Sequence, residues 1–287
     1  MTRLIAAELL KLRKRNMTWI LLGILVGIMM LLHLLLFAIS RLTLPGTTSG
    51  EVTNLQNLLG LPLALPFALS ILASFGAVLA VILMASSTGN EYNWRTIRLA
   101  LISAESRARF LAAKVISVAI IILIGMVAGL ATGFIMSLIT TAIGGNSFDF
   151  SFASGSYIWQ QFTQFWRTFF VIFLFSLLGF VFAVLGRSAM PGIAVSIGIL
   201  FLEPIITGFM RLAGGWVSSV PNYLFSANAN AINALNQLPG RFGGGGGFGG
   251  LNVELPSVTH AFVVLGIYML VFLAAGFYLF HKRDVTG

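Results

Sequence analysis

The chain has 287 residues, of which 58% are hydrophobic and 9% charged, with a formal net charge of +9. A soluble domain carries about 25% charged residues, so this composition excludes a water-soluble core and makes lipid the solvent. The absence of cysteine removes disulfides, thiolate metal sites and cysteine nucleophiles.

In a soluble protein the basic excess would suggest nucleic acid. Here the basic residues flank apolar runs, where they set membrane topology instead, and no nucleic-acid partner is expected. Residues 2–16, TRLIAAELLKLRKRN, are amphipathic: Leu4, Ile5, Leu9 and Leu12 share one face, with Arg3, Lys11, Lys14 and Arg15 mostly off it. Residues 1–16 are expected to form an interfacial helix on anionic headgroups. A positive-inside anchor without fixed structure is the plainer alternative. The apolar run that follows is of spanning length and lacks a small-residue cleavage pattern, so no cleavable signal peptide is expected.

A membrane span needs about 20 mostly apolar residues. Six such runs occur, at 17–39, 63–86, 115–139, 165–185, 190–210 and 258–280. All six are expected to be helices, because the alternation of a barrel strand is absent and only helices or closed barrels satisfy the backbone in lipid. The fold class is therefore all-α and polytopic, a single domain over 1–287.

Lys and Arg in the flanks set the orientation. Arg3, Lys11, Arg13, Lys14, Arg15, Arg95, Arg98, Arg107, Arg109, Lys114, Arg187, Lys282 and Arg283 fall on one side; Arg41, Arg167, Arg211 and Arg241 fall on the other. This puts both termini and the segment 90–114 in the cytoplasm.

That segment, NEYNWRTIRLALISAESRARFLAAK, carries seven of the twenty-five charged residues. Trp94, Ile97 and Leu101 recur at helical spacing. Glu91–Arg95 and Glu105–Arg109 are i,i+4 pairs. Ser103 and Ser106 suggest a break and a new helix start. A helix–turn–helix excursion fits this pattern; a solvated loop whose charges only fix topology is the bland alternative.

Beyond the fifth span, 211–257 is a long outer loop. Leu224, Ala231, Leu235 and Leu238 recur at helical spacing among Asn222, Asn228, Asn230, Asn233 and Asn236. A short semi-polar helix is expected there, at the outer surface or partly re-entrant. The run GRFGGGGGFGG is a flexible tether. It lacks the Lys-Ser/Thr ending of a phosphate-binding loop, as does every other segment, so the chain is expected to bind no ATP through such a loop.

Two intramembrane polar residues are candidates for function. Glu203 is the only acid deep in a span and precedes Pro204. Such a group is costly in lipid and suggests a protonation site, a substrate contact or an ion-pair partner; a hydrogen bond at a Pro-broken helix is the structural alternative. His33 is the other, with packing or hydrogen bonding as its plainer role. His33, His260 and His281 are too far apart for a metal cluster. No hydrolase motif is present, so the chain is not expected to be an enzyme. Gly125, Gly129 and Gly133, and Gly23 and Gly27, permit close helix approach, within or between subunits.

Taken in order, these pieces resemble the membrane subunits of type 2 ATP-binding-cassette exporters. Glu91-Tyr92 with Thr96 and Arg98 resembles the family's "GE…GT-R" stretch after the second span. Ile102-Ser103, Arg107, Arg109, Leu111 and Lys114 resemble its "IS-R…LL-AK" stretch. AELLKLRKRNMTW resembles its "E-KL-R" opening, and Leu202-Glu203-Pro204 and Phe280–Asp284 are also familiar there. The likeness covers nearly the whole chain. Asn90, where the family often has Gly, and the glycine-rich loop at 240–250 depart from it.

The resemblance implies that 90–114 carries a coupling helix that docks on a cytoplasmic ATPase subunit. Trp94, Ile97 and Leu101 would be its apolar anchors, with Glu91, Arg95 and Arg98 around them. Asn222, Tyr223, Asn228 and Asn230 would belong to an external gate. It further implies a dimer with a second permease subunit, identical or not, in a bacterial plasma membrane. ATP and Mg would sit on the partner ATPase and no cofactor on this chain. The substrate would be an amphipathic drug, peptide or lipid. A proton-coupled secondary transporter using Glu203 is the competing reading, weakened by the absence of an inverted repeat.

Overall fold

The computed structural model describes residues 1–41, 58–93, 106–144, 148–236 and 255–282. Among them the regular structure is helical. Six helices are long and apolar enough to cross a membrane: Asn16–Arg41 (span 1), Leu61–Tyr92 (span 2), Ala108–Ile143 (span 3), Gly155–Gly186 (span 4), Ala189–Ala213 (span 5) and Val258–Lys282 (span 6). The protein is an all-helical, polytopic membrane protein.

Spans 2, 3 and 4 extend well past the expected apolar runs. At 1.5 Å per residue, the 32 residues of span 4 measure about 48 Å, longer than the ~30 Å hydrocarbon core. The extra turns carry polar side chains, which a hydropathy window discards but protein contacts accommodate. Serines set several helix starts. Ser106 Oγ accepts from the Arg109 amide at 3.2 Å, Ser154 Oγ from that of Tyr157 at 3.3 Å, and Ser188 Oγ from that of Met190 at 3.4 Å. Each satisfies a donor that the first helical turn leaves unpaired.

The N-terminal segment forms a helix over Thr2–Lys14. Trp19 Nε1 donates to the Arg13 carbonyl at 2.8 Å and fixes the corner into span 1. Span 2 contains one turn of π-helix, Leu72–Gly76. Spans 2 and 4 form the enclosed centre and pack against each other and span 5.

Glycines decide how closely these helices meet. A Cβ on Gly129 would lie 2.8 Å from Leu72 Cδ2, and one on Gly133 would lie 2.6 Å from the Ala68 Cβ. Those two glycines therefore seat span 3 on span 2 within one subunit, whereas Gly23 and Gly27 face open space. A Cβ on Gly89 would collide with the Ala189 backbone, so the end of span 2 touches the start of span 5. Phe280 of span 6 packs on Phe110 and Tyr92. The N-terminal helix, the ends of spans 2, 4 and 6 and the starts of spans 3 and 5 therefore share one end of the bundle.

At the opposite end the expected short helix is present as an α-helix over Phe225–Asn233, preceded by a 3-10 helix Gly215–Tyr223. Leu224 between them is extended. The α-helix (the fold-back helix) is buried from Phe225 to Ile232 apart from half-buried Asn230.

Candidate functional site

The N-terminal end of the bundle holds a buried ion cluster. Glu8, Glu91 and Lys114 are 5%, 3% and 2% exposed. Lys114 Nζ donates to Glu91 Oε1 at 2.7 Å, to Glu8 Oε2 at 2.9 Å and to the Ser87 carbonyl at 3.2 Å. Lys11, half exposed, donates to Glu8 and lies 3.7 Å from Glu91. Phe110 sits beneath both ammonium groups, 5.4 Å from Lys114 Nζ and 5.8 Å from Lys11 Nζ. Ser117 Oγ donates to the Ile5 carbonyl at 3.3 Å. Two carboxylates and two ammonium groups thus balance where water is scarce.

Burial pushes the Glu8 carboxyl up, but the Lys114 and Lys11 charges and hydrogen bonds outweigh it and hold that carboxyl below its ordinary value of 4.5. The cluster joins three elements: the N-terminal helix through Glu8 and Lys11, span 2 through Glu91 and span 3 through Lys114. These bonds sit at the roots of both helices that frame residues 94–105.

Glu91 therefore differs from its expected place on a docking surface. It is an internal ion-pair partner, because the end of span 2 lies beneath the N-terminal helix. Trp94, Arg95, Ile97, Arg98 and Leu101 lie outside the described residues, as do Ser103, Glu105, Leu238 and the glycine-rich run at 240–250.

At the other end the candidate gate residues form a hydrogen-bond knot. The Asn222 carbonyl accepts from Asn228 Nδ2 at 2.8 Å and lies 2.9 Å from His260 Nε2. Arg211 donates to Asn222 Oδ1 at 3.4 Å. Asn228 is fully buried and also donates to the Leu224 carbonyl at 2.7 Å. Tyr223 is 63% exposed, packs edge-on against His260 and accepts from Tyr268 at its carbonyl, 3.0 Å away. Asn230 is half-buried. Spans 5 and 6 are thereby tied to the fold-back helix.

Glu203 Oε1 accepts from the Ser226 amide at 2.6 Å. Glu203 lies ten residues before the end of span 5, about 15 Å along the helix, so residues 225–226 fold back into the bundle to that depth. The carboxylate satisfies an amide in the first turn of the fold-back helix, where negative charge is favoured. His33 is fully buried, with Nδ1 2.8 Å from the Met29 carbonyl and its ring edge-on to Phe67 at 4.9 Å. A carbonyl only accepts, so Nδ1 carries the proton, and Nε2 has no partner among the described residues. Among the described residues, no group of three or more His, Asp or Glu gathers to hold a metal ion.

Glu8 and Lys114 went unrecognised as a site because they are 106 residues apart. The available signal was Glu8 itself, the single acid on an otherwise basic amphipathic helix, together with Lys114 carried into an apolar run.

These features define the class as a polytopic helical membrane protein. Residues 24–286 match the family described as "Protein of unknown function (DUF2705)", and the chain belongs to that family. It is similar to "Uncharacterized protein YhcI" of Bacillus subtilis (strain 168), with 23% identity over an alignment 215 residues long that covers 72% of this chain and 64% of that protein. The match thus spans less than two thirds of that relative's length.

Proposed function

We propose that the chain is the permease subunit of an ATP-driven exporter in a bacterial plasma membrane. In this reading both termini and residues 90–114 face the cytoplasm. A separate ATPase subunit, carrying ATP and Mg, docks on the 94–105 segment. A second permease subunit, identical or not, completes the path for an amphipathic drug, peptide or lipid.

The observation that carries this reading is the buried Glu8–Lys114–Glu91–Lys11 cluster. A loop that only fixes topology needs basic residues near the headgroups and no buried ion pairs. A loop that receives force needs both roots held to one body, and the cluster joins them to each other and to the N-terminal helix. A push on 94–105 is then passed to spans 2 and 3 together. Glu203, the candidate of the proton-coupled alternative, is engaged in holding the fold-back helix, which favours the permease reading.

The test is affinity purification of the full chain from its native membrane in mild detergent, with and without ATP and Mg. Wild type is expected to retain an ATPase, and the triple variant Trp94→Ala, Ile97→Ala, Leu101→Ala to lose it while remaining monodisperse. If wild type retains no ATPase under any nucleotide condition, the permease reading is wrong.

A further inference from the structure

A cavity of about 360 Å³ lies between the N-terminal helix and spans 1, 2 and 3. Ligand pockets run from about 300 to 1,000 Å³, so this one suits a single chain rather than a whole lipid. Its walls are apolar, with Leu22, Leu79, Leu83 and Ile121 among them. The π-helical turn of span 2 lines its inner part through Leu72 and Gly76. Such turns interrupt regular helix packing and recur at functional sites. Gly125 leaves its wall open: a Cβ there would find its nearest neighbour, Leu25 Cδ2, at 4.0 Å.

The cavity opens sideways. Trp19 and Ile124, both lining it, are 58% and 55% exposed, and in a membrane protein that direction is lipid. An empty apolar space of this size forfeits dispersion contacts along its whole lining, and the molecules at its opening are acyl chains.

Polar groups occur at the end nearest the N-terminal helix, where the lining includes Arg13 and Thr18. Arg13 is exposed and makes no ion pair among the described residues. Thr18 Oγ1 is buried without a hydrogen-bond partner among the described residues. The Trp19 bond to the Arg13 carbonyl holds this corner in place, so a cation with no ion pair and a hydroxyl with no hydrogen bond among the described residues stand together above an apolar slot. The groups that complement this arrangement are a phosphate and a hydrocarbon chain, joined.

We propose that the cavity holds one acyl chain of an anionic glycerophospholipid, taken from the leaflet beside the N-terminal helix, with its phosphate against Arg13 and the Thr18 hydroxyl. The proposal needs the membrane fold and is independent of any ATPase partner.

The test uses the full chain in phosphatidylcholine vesicles doped with phosphatidylglycerol or phosphatidylcholine carrying a diazirine in the acyl chain, with labelled peptides mapped after illumination. Labelling is expected to concentrate on residues 72–83 and 120–126. Phosphatidylglycerol, whose phosphate has no choline to neutralise it, is expected to be favoured about fivefold, taking ~1 kcal/mol for one basic residue against anionic lipid. Gly125→Phe fills the slot and should abolish that labelling while leaving the exposed face of span 6, at Ile267 and Val271, labelled as before. Arg13→Gln, at an exposed position that does not threaten folding, should equalise the two lipids and keep the chain in the slot. Uniform labelling of all lipid-facing spans in wild type, or equal labelling by the two lipids, overturns the proposal. So does slot labelling that survives in folded Gly125→Phe. If Gly125→Phe does not fold, the wild-type and Arg13→Gln results decide.

Discussion

Lys114→Met is the perturbation that most directly tests the ion cluster. Lys114 Nζ has three oxygen partners between 2.7 and 3.2 Å and is almost fully buried. Methionine has similar length and reach, so the substitution removes charge and donors more than volume. It strands Glu8 and Glu91 in a buried site where, among the described residues, half-exposed Lys11 is the remaining ion-pair partner. Removing one partner of a buried pair costs about 3–5 kcal/mol, because the remaining charge is desolvated without compensation. For a chain of this size the midpoint of thermal unfolding should fall by on the order of 10 °C. The assay is a thermal scan in detergent, followed by tryptophan fluorescence and by the fraction that elutes as a single species. The triple variant Glu8→Gln, Glu91→Gln, Lys114→Met replaces the ionised groups with neutral ones and should recover most of the loss, since neutral replacements of buried ion pairs are often tolerated. Lys14→Met, on an exposed position of the same helix, should change nothing. Melting of Lys114→Met together with wild type, or a triple variant as unstable as the single one, refutes this role for the cluster.

The remaining predictions concern pH, close packing and the fold-back helix. Glu8 is depressed in the folded protein, so its contribution is fully present above the ordinary 4.5 and is lost as pH falls through the lower folded value. Proteolysis of the N-terminal helix should therefore rise below about pH 4.5 in wild type and show no such dependence in Glu8→Gln; a flat wild-type profile counts against the cluster's hold on that helix. Gly89→Ala places its Cβ on the Ala189 backbone, which cannot rotate aside. It should cost at least ~1–3 kcal/mol, whereas Gly23→Ala meets nothing within 4 Å and should be neutral or stabilising. Equal melting temperatures for the two would refute the packing of span 2 on span 5. Glu203→Ala strands the Ser226 amide at about 1–3 kcal/mol, and hydrogen exchange over 225–233 should quicken. Glu203→Gln keeps an oxygen acceptor and should leave exchange and transport near wild type, whereas the proton-coupled alternative requires it to abolish transport.

Much of the architecture was legible because the bilayer imposes it. A span must be long and apolar, and the six runs found by hydropathy each lie inside one of the six long helices. The amphipathic pattern of residues 2–16 likewise corresponds to the helix Thr2–Lys14, and Ser106 does start the helix that becomes span 3. The failures share a cause: they depend on what lies beside a residue in space. Hydropathy ended span 2 at Ser86, because Thr88, Glu91 and Tyr92 look like loop residues until Lys114 and Phe280 are beside them. Periodicity marks the short helix, found at Phe225–Asn233, but starts it at 222, because it is blind to the extended Leu224 and to the Asn228 side chain that takes the Asn222 and Leu224 carbonyls. Counting Lys114 as one more positive-inside residue was consistent with its sequence position and missed its role, since its partners lie 23 and 106 residues away.

That buried cluster also bears on how the two ends of the molecule divide their work. At the N-terminal end, ionic bonds at the roots of spans 2 and 3 hold three elements as one unit. At the far end span 6 bonds to the Asn222 and Tyr223 carbonyls of the 3-10 helix, the Asn228 side chain ties that helix to the fold-back helix, and span 5 reaches the fold-back helix through the Glu203 carboxylate and the Ser226 amide. Removing one partner of a buried ion pair costs about 3–5 kcal/mol, whereas removing one partner of a buried neutral hydrogen bond costs about 1–3 kcal/mol. Losing a partner is therefore the more costly event at the N-terminal end. A permease driven from its cytoplasmic face requires that ordering, with a stiff input and a compliant exit. Hydrogen exchange can measure it: amides of 225–233 should exchange faster than those of 8–14 and 110–117, and Lys114→Met should reverse the order. Slower exchange at 225–233 in wild type would place the rigid end opposite the proposed input and remove the mechanical argument for the permease reading.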